Sequence, residues 1–281
     1  MTAAEALRAA TLRLRDAEIP DAPRDARLLL AHAMGIAADR LTLHLPDPLE
    51  EAARAAFDRA LAARLARQPV SQIIGMRMFW GRPFKVTPDT LDPRPETELL
   101  VQTALEHPFL RLLDLGTGTG CILLSCLADR PMATGVGTDI HPPTLAVAQA
   151  NAMALGLGAR AAFILSDWLH DVPGQYDLIL SNPPYIAEAE MAALSPEVRG
   201  WEPHRALTPG GDGLAAYRRI AQGAGARLLP GGRLLLEIGP TQGAAVQDLL
   251  ARQGFAQIRI LQDLDGRDRV VEAVKPLSPA D

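Results

Sequence analysis

The chain has 281 residues, of which 48% are apolar and 22% charged, with a net charge of −5. That balance belongs to one large or two ordinary globular domains and excludes a disordered tail, a collagen-like chain or a disulfide miniprotein. No apolar run reaches the roughly 18–20 residues of a membrane helix, and the N-terminal stretch lacks the apolar centre of a signal peptide. The acidic total argues against a protein that grips a nucleic-acid backbone.

Residues 1–68 read as a small helical domain. Ala26, Leu29, Leu30, Ala33 and Met34 keep the spacing of one helix face, and Gly35 offers a stop. A second helix is expected from Asp47 as N-cap and Pro48 at the first helical position. Its buried stripe would be Leu49, Ala53, Ala56, Phe57, Ala60, Leu61 and Leu65. Residues 69–95, with β-type residues, an aromatic cluster and Gly and Pro punctuation, read as a hairpin linker. From residue 96 to 281 short apolar runs alternate with helical segments. The expected strands are RLLDLG, ATGVGTDI, AAFILSD, YDLILSNPP, GRLLLEIG, FAQIRILQD and DRVVEAVKP. Five strand–helix repeats and a closing pair of strands predict a doubly wound α/β sheet with one antiparallel strand. The two cysteines, Cys121 and Cys126, share one apolar stretch and read as core thiols of a reducing cytoplasm. The six histidines stand singly, so no metal-ligand spacing is expected.

Two motifs carry chemistry. DLGTGTG, Asp114 to Gly120, follows an apolar strand and precedes a helical run. Its glycines let the chain turn tightly and let a ligand approach the backbone, and a helix N-terminus follows. The spacing is G-x-G-x-G rather than the dinucleotide G-x-G-x-x-G. Asp139, at the end of the next strand, can accept from both hydroxyls of a ribose. A nucleoside-bearing cofactor is implied, and the candidates are a nicotinamide dinucleotide and S-adenosylmethionine. Asp114 suits the ammonium of an amino-acid tail, and Asp167 and Trp168 lie where an adenine edge would pass. The second motif is SNPPY, Ser181 to Tyr185, at the carboxyl edge of the sheet, where open α/β sheets bind ligands. The prolines cannot donate and have fixed φ, so their carbonyls and the Asn182 side chain form a rigid set of acceptors for a planar NH2. Tyr185 offers a flat face beside them.

Asn-Pro-Pro-Tyr after a G-x-G-x-G sheet resembles the amino methyltransferases that modify exocyclic adenine nitrogens or glutamine side chains. GMRMFWGRPFKVTPDTLDPRPETE, DLGTGTG, SNPPYI, EVRGWEPHRALTPGGDGL, LLLEIG and DLDGRDRVV together resemble the protein-(glutamine-N5) methyltransferases of bacterial peptide-chain release factors. The resemblance spans nearly the whole chain, and DARLLLAHAMG extends it, more weakly, into the helical domain. It implies a class I, Rossmann-like fold, S-adenosylmethionine as cofactor, a release factor as protein partner, no metal, no membrane and no direct nucleic-acid binding. Gly116, Thr117, Gly118, Thr119 and Gly120 would wrap the cofactor's tail and sugar, Asp139 would hold the ribose, and Asp167 and Trp168 would border the adenine. Asn182 would touch cofactor and substrate, Pro183, Pro184 and Tyr185 would frame the glutamine, and Phe79 and Arg94 would line the mouth. The helical domain would dock the substrate. Met78, Asp92 and Thr208-Pro209 depart from the family pattern. The competing readings are an adenine-N6 nucleic-acid methyltransferase and a non-catalytic cofactor-binding scaffold.

Overall fold

The computed structural model describes residues 1–277. It divides into two compact units, Met1–Met76 with Leu194–Trp201, and Arg77–Ala193 with Glu202 onward.

The first unit is helical, with α1 (Ala3–Asp16), α2 (Ala22–Ala33), α3 (Leu41–His44), α4 (Glu51–Leu65) and α5 (Val70–Ile74). Thr2 and Glu5 close α1 with a reciprocal capping box. Leu14, Leu29, Leu30, Phe57 and Leu61 are buried together, which keeps the predicted faces of α2 and α4. The predicted start of α4 does not hold. Asp47 is not its N-cap, because the Asp47 carbonyl accepts from the Ala3 N–H and the Leu49 N–H donates to the Met1 carbonyl. Residues 47–49 thus bridge to the N-terminus, and the helix begins at Glu51. The stretch 69–95 is not a separate linker either. Its first part, through α5, belongs to the helical unit, and the part from Arg77 belongs to the other. The segment Leu194–Trp201, with α9 (Pro196–Trp201), joins the helical unit through polar contacts, among them an ion pair of Glu197 with Arg67 at 3.4 Å. Arg64, buried against Asp25 at 2.7 Å, also meets Glu197 at 3.1 Å. Trp201 Nε1 donates to the Ala66 carbonyl at 3.2 Å, and Gln72 Nε2 donates to the Trp201 carbonyl at 2.9 Å.

The second unit opens with the hairpin β1 (Met76–Phe79) and β2 (Arg82–Lys85), then a 3-10 turn, Pro95–Thr97, and α6 (Glu98–Leu105). The core follows as β3 (Arg111–Leu115), α7 (Cys121–Asp129), β4 (Thr134–Asp139), α8 (Pro142–Ala154), β5 (Ala161–Leu165) and β6 (Tyr176–Ser181). After β6 come a 3-10 turn, α9, α10 (His204–Leu207), α11 (Ala215–Arg227), β7 (Leu228–Glu237), α12 (Gly243–Arg252), β8 (Ala256–Gln262) and β9 (Asp268–Val274). The sheet order is β5-β4-β3-β6-β7-β9-β8. β9 runs antiparallel to β7 and β8, while β3 through β7 are parallel. All seven expected strands form. One expected helix does not, because β5 and β6 are joined by irregular chain from 166 to 175. That chain carries Trp168, Gly174 and Pro173, which suit turns better than a helix. Apolar layers lie on both faces of the sheet, around Leu112, Leu123 and Leu178 on one side and Leu113, Ile179 and Tyr217 on the other. Cys121 and Cys126 are buried thiols, and burial pushes Cys121 up to about 12 and Cys126 well above the ordinary thiol value.

Candidate active site

Strand register builds the site. Leu115 pairs with Thr138 and with Ser181, and Ser181 pairs with Leu236. The next residue on each strand is therefore Asp139, Gly116, Asn182 and Glu237, in one row along the carboxyl edge. Parallel strands ending together leave a crevice there, and the structure has a cavity of about 410 Å³ at this place.

The glycine turn forms one wall. Gly116, Gly118 and Gly120 all have positive φ, which Cβ-bearing residues adopt only at a cost. The Trp168 ring lies over Gly116, so that a Cβ there would sit 3.6 Å from it. Thr117 Oγ1 donates to the buried Asp114 at 2.6 Å. Desolvation raises the Asp114 carboxyl to about 7, and its Oδ1 has no hydrogen-bond partner. Asp114 is buried and is not among the residues that line the cavity; the contact it makes is to the hydroxyl of Thr117 in the turn. Asp139 accepts the Gly118 N–H at 3.2 Å and the His141 N–H at 3.0 Å, one on each oxygen. Burial raises its pKa, and the His141 and Gly118 N–H groups oppose the rise. Asp167 pairs with Arg219 at 2.5 Å.

Beside the glycine turn, on the neighbouring strand β6, is the NPPY loop. Asn182 lines the cavity and donates Nδ2 to Thr97 Oγ1 at 3.2 Å. Ser181 Oγ donates to the Leu115 carbonyl at 2.7 Å, tying this loop to the strand that carries the glycines. The Tyr185 carbonyl accepts Gln242 Nε2 at 2.9 Å, and Gln242 Oε1 accepts the Gly239 N–H at 3.0 Å. Behind it Glu237 is buried with its Oε2 unpartnered, and desolvation raises this carboxyl to about 7.

Of the residues expected from sequence, Gly116, Thr117, Gly118, Thr119, Asp139, Asp167, Trp168, Asn182, Pro184 and Arg94 line the cavity. Gly120, Pro183 and Tyr185 are not among the residues that line it. Phe79 does not line the mouth. It is buried edge-on to Phe84, with ring centroids 6.2 Å apart, because the hairpin turns its aromatic residue into the core. Arg94 lines the cavity and is held by the buried Glu202 at 2.6 Å. Asp92, Thr208 and Pro209, which depart from the family pattern, also line the cavity, while Met78 is exposed. Sequence reasoning missed Thr97, Ile140, Arg205 and Arg219 in the wall. Thr97 was within reach through the PRPET motif, and Ile140 follows Asp139 directly. Among the described residues, no His/Cys/Asp/Glu group has the arrangement to hold a metal ion, and no helix is long and apolar enough to cross a membrane.

A parallel-centred seven-stranded sheet with flanking helices is the fold of the Rossmann-like methyltransferases. It is shared by a methyltransferase of Pyrococcus furiosus (TM-score 0.55, 14% identity, 78% of this chain and all of that one) and by the hMettl16 catalytic domain (TM-score 0.58, 18% identity, 76% and 82%). Residues 5–75 match the PrmC N-terminal domain and residues 88–212 the Methyltransferase small domain. Relatives named release factor glutamine methyltransferase are 64% identical in Cereibacter sphaeroides, over 98% of this chain and 99% of theirs, and 45% identical in Rhodospirillum rubrum, over 95% and 84%. The chain belongs to the release factor glutamine methyltransferase family.

Proposed function

We propose that this chain is a cytoplasmic enzyme that transfers a methyl group from S-adenosylmethionine to the side-chain amide nitrogen of the glutamine in the Gly-Gly-Gln motif of peptide-chain release factors. The observation that carries this reading is the row of Asp139, Gly116 and Asn182 on three neighbouring strand ends. It sets an acid for ribose hydroxyls, a turn open to close approach and a rigid amide acceptor side by side.

The residues present suit the cofactor. The cavity is of nucleoside size. Each Asp139 oxygen is fixed by one N–H and keeps lone pairs for a hydroxyl. Trp168 and Ile140 give apolar walls for a base. When bound, the cofactor supplies a methyl group on a positively charged sulfur.

The protein's own part is positioning and electrostatics. An amide nitrogen is a weak nucleophile because its lone pair is delocalised into the carbonyl. Asn182 Oδ1 and the Pro183 carbonyl accept its two N–H bonds and orient it. The same acceptors stabilise positive charge as it develops on nitrogen, fixed alignment supplies the rest, and one N–H proton of the amide passes to solvent water so that the methylated side chain ends neutral. The helical unit, which matches the PrmC N-terminal domain, docks the release factor. Full-length similarity to relatives named for release factor glutamine methylation supports a protein substrate over an adenine.

The test is mass spectrometry of digested release factor after incubation with this protein and S-adenosylmethionine. One added methyl on the motif glutamine is expected. Asn182→Ala should lower turnover by roughly 10²–10³-fold, by analogy with loss of an oxyanion-hole donor, with cofactor binding retained. An unmodified release factor, with label entering DNA or RNA instead, would overturn the substrate assignment.

A further inference from the structure

A side-chain amide has a polarity. Asn182 serves as an acceptor only if its Oδ1, rather than its NH2, faces the cavity, and nothing within the NPPY loop decides which edge does so. The deciding contact comes from another element. Thr97 ends the 3-10 turn that leads into α6, and it is buried. Its Oγ1 accepts Asn182 Nδ2 at 3.2 Å. The structure presents the NH2 edge of Asn182 to this hydroxyl, whose oxygen accepts, and an amide held by its NH2 edge carries its Oδ1 on the other side.

Resting on the methyltransferase reading above, we propose that Thr97 is a positioning residue that fixes the Asn182 amide with its oxygen toward the substrate nitrogen. Reversing the amide would put a donor NH2 against the donor NH2 of a substrate glutamine.

The experiment compares Thr97→Val, which keeps the branched shape and loses the hydroxyl, with Thr97→Ser, which keeps the hydroxyl. Three readouts are taken: kcat and KM on a release factor, S-adenosylmethionine affinity by calorimetry, and the ¹⁵N–¹H resonances of the Asn182 NH2, assigned by their loss in Asn182→Ala. Thr97→Val should lower kcat by about tenfold or more, comparable to losing one hydrogen bond to a charge-stabilising group, and leave cofactor affinity within about twofold. The downfield-shifted Asn182 proton should be lost in Thr97→Val and kept, with most of kcat, in Thr97→Ser. If Thr97→Val keeps kcat and the resonance, or if folded Thr97→Ser loses both, the assignment is overturned. If wild-type protein leaves the release factor unmodified, the functional reading fails, and the resonance comparison still decides the amide's polarity.

Discussion

Gln242 Nε2 donates to the Tyr185 carbonyl at 2.9 Å, so a side chain from the N-terminus of α12 holds the last residue of the NPPY loop. The other end of the same amide accepts the Gly239 N–H at 3.0 Å and lies 3.4 Å from the Tyr217 hydroxyl. Tyr217 in turn donates to the Glu237 carbonyl at 2.9 Å. The prolines stiffen the loop internally, and this network fixes where the stiff loop points.

Replacing Gln242 by leucine leaves the Tyr185 carbonyl and the Gly239 N–H without partners. Each unsatisfied buried group costs about 1–3 kcal/mol, so urea unfolding should show a loss of roughly 2 kcal/mol or more. The substrate side of the site should suffer more than the cofactor side, with kcat on a release factor falling while S-adenosylmethionine affinity holds. Calorimetry beside steady-state kinetics reads this split, and an unchanged kcat would show that the loop needs no clamp.

Gly213 presses on the same carbonyl. Its φ is +77°, and a Cβ there would lie 2.3 Å from the Tyr185 oxygen. Gly211 has φ +57° with open space around its missing Cβ. Gly211→Ala should therefore cost only the left-handed backbone penalty, about 1–2 kcal/mol. Gly213→Ala should add a clash with backbone that moves the NPPY loop, giving a greater loss of stability and a larger drop in kcat. Equal effects in the two variants, by urea titration and turnover, would remove Gly213 from the loop's support.

The row of strand ends was legible in the sequence because each part has its own local signal. Apolar runs ended in Gly, Asp or Asn-Pro-Pro, and the glycines, Asp139 and Asn182 all fell at those ends. What supports the row was not legible. Thr97, Gln242 and Gly213 lie 85, 57 and 28 residues along the chain from the loop residues they meet. A hydrogen bond across such a separation leaves no periodic trace in a single sequence. The same limit hid the assignment of Leu194–Trp201 to the helical unit, which depends on Arg64, Ala66 and Gln72 far upstream. Local capping misled at Asp47, where a sound helix-start signal was overridden by pairing with the N-terminal residues. Phe79 misled in another way, because an aromatic beside a candidate mouth is equally suited to the core that took it.

Two buried carboxyls should make stability depend on pH in an unusual direction. Desolvation raises Asp114 and Glu237 to about 7 from ordinary values of 3.8 and 4.5. Between those limits the folded protein binds more protons than the unfolded chain, so these groups lower stability as pH rises, and the effect levels off above about pH 7. Exposed carboxylates such as Asp212, lowered to about 2 by its hydrogen bond with Arg218, act in the opposite sense and at lower pH. The buried contribution is isolated by comparison with Asp114→Asn, whose amide still accepts the Thr117 hydroxyl. The advantage of Asp114→Asn over wild type should grow from pH 5 to pH 8 by on the order of 1–3 kcal/mol, since one pKa unit corresponds to about 1.4 kcal/mol. Urea midpoints across that range measure it. Two curves that run parallel from pH 5 to 8 would mean that Asp114 ionises in the folded protein as easily as in the unfolded chain, and that its buried place under Thr117 is better solvated than the geometry implies.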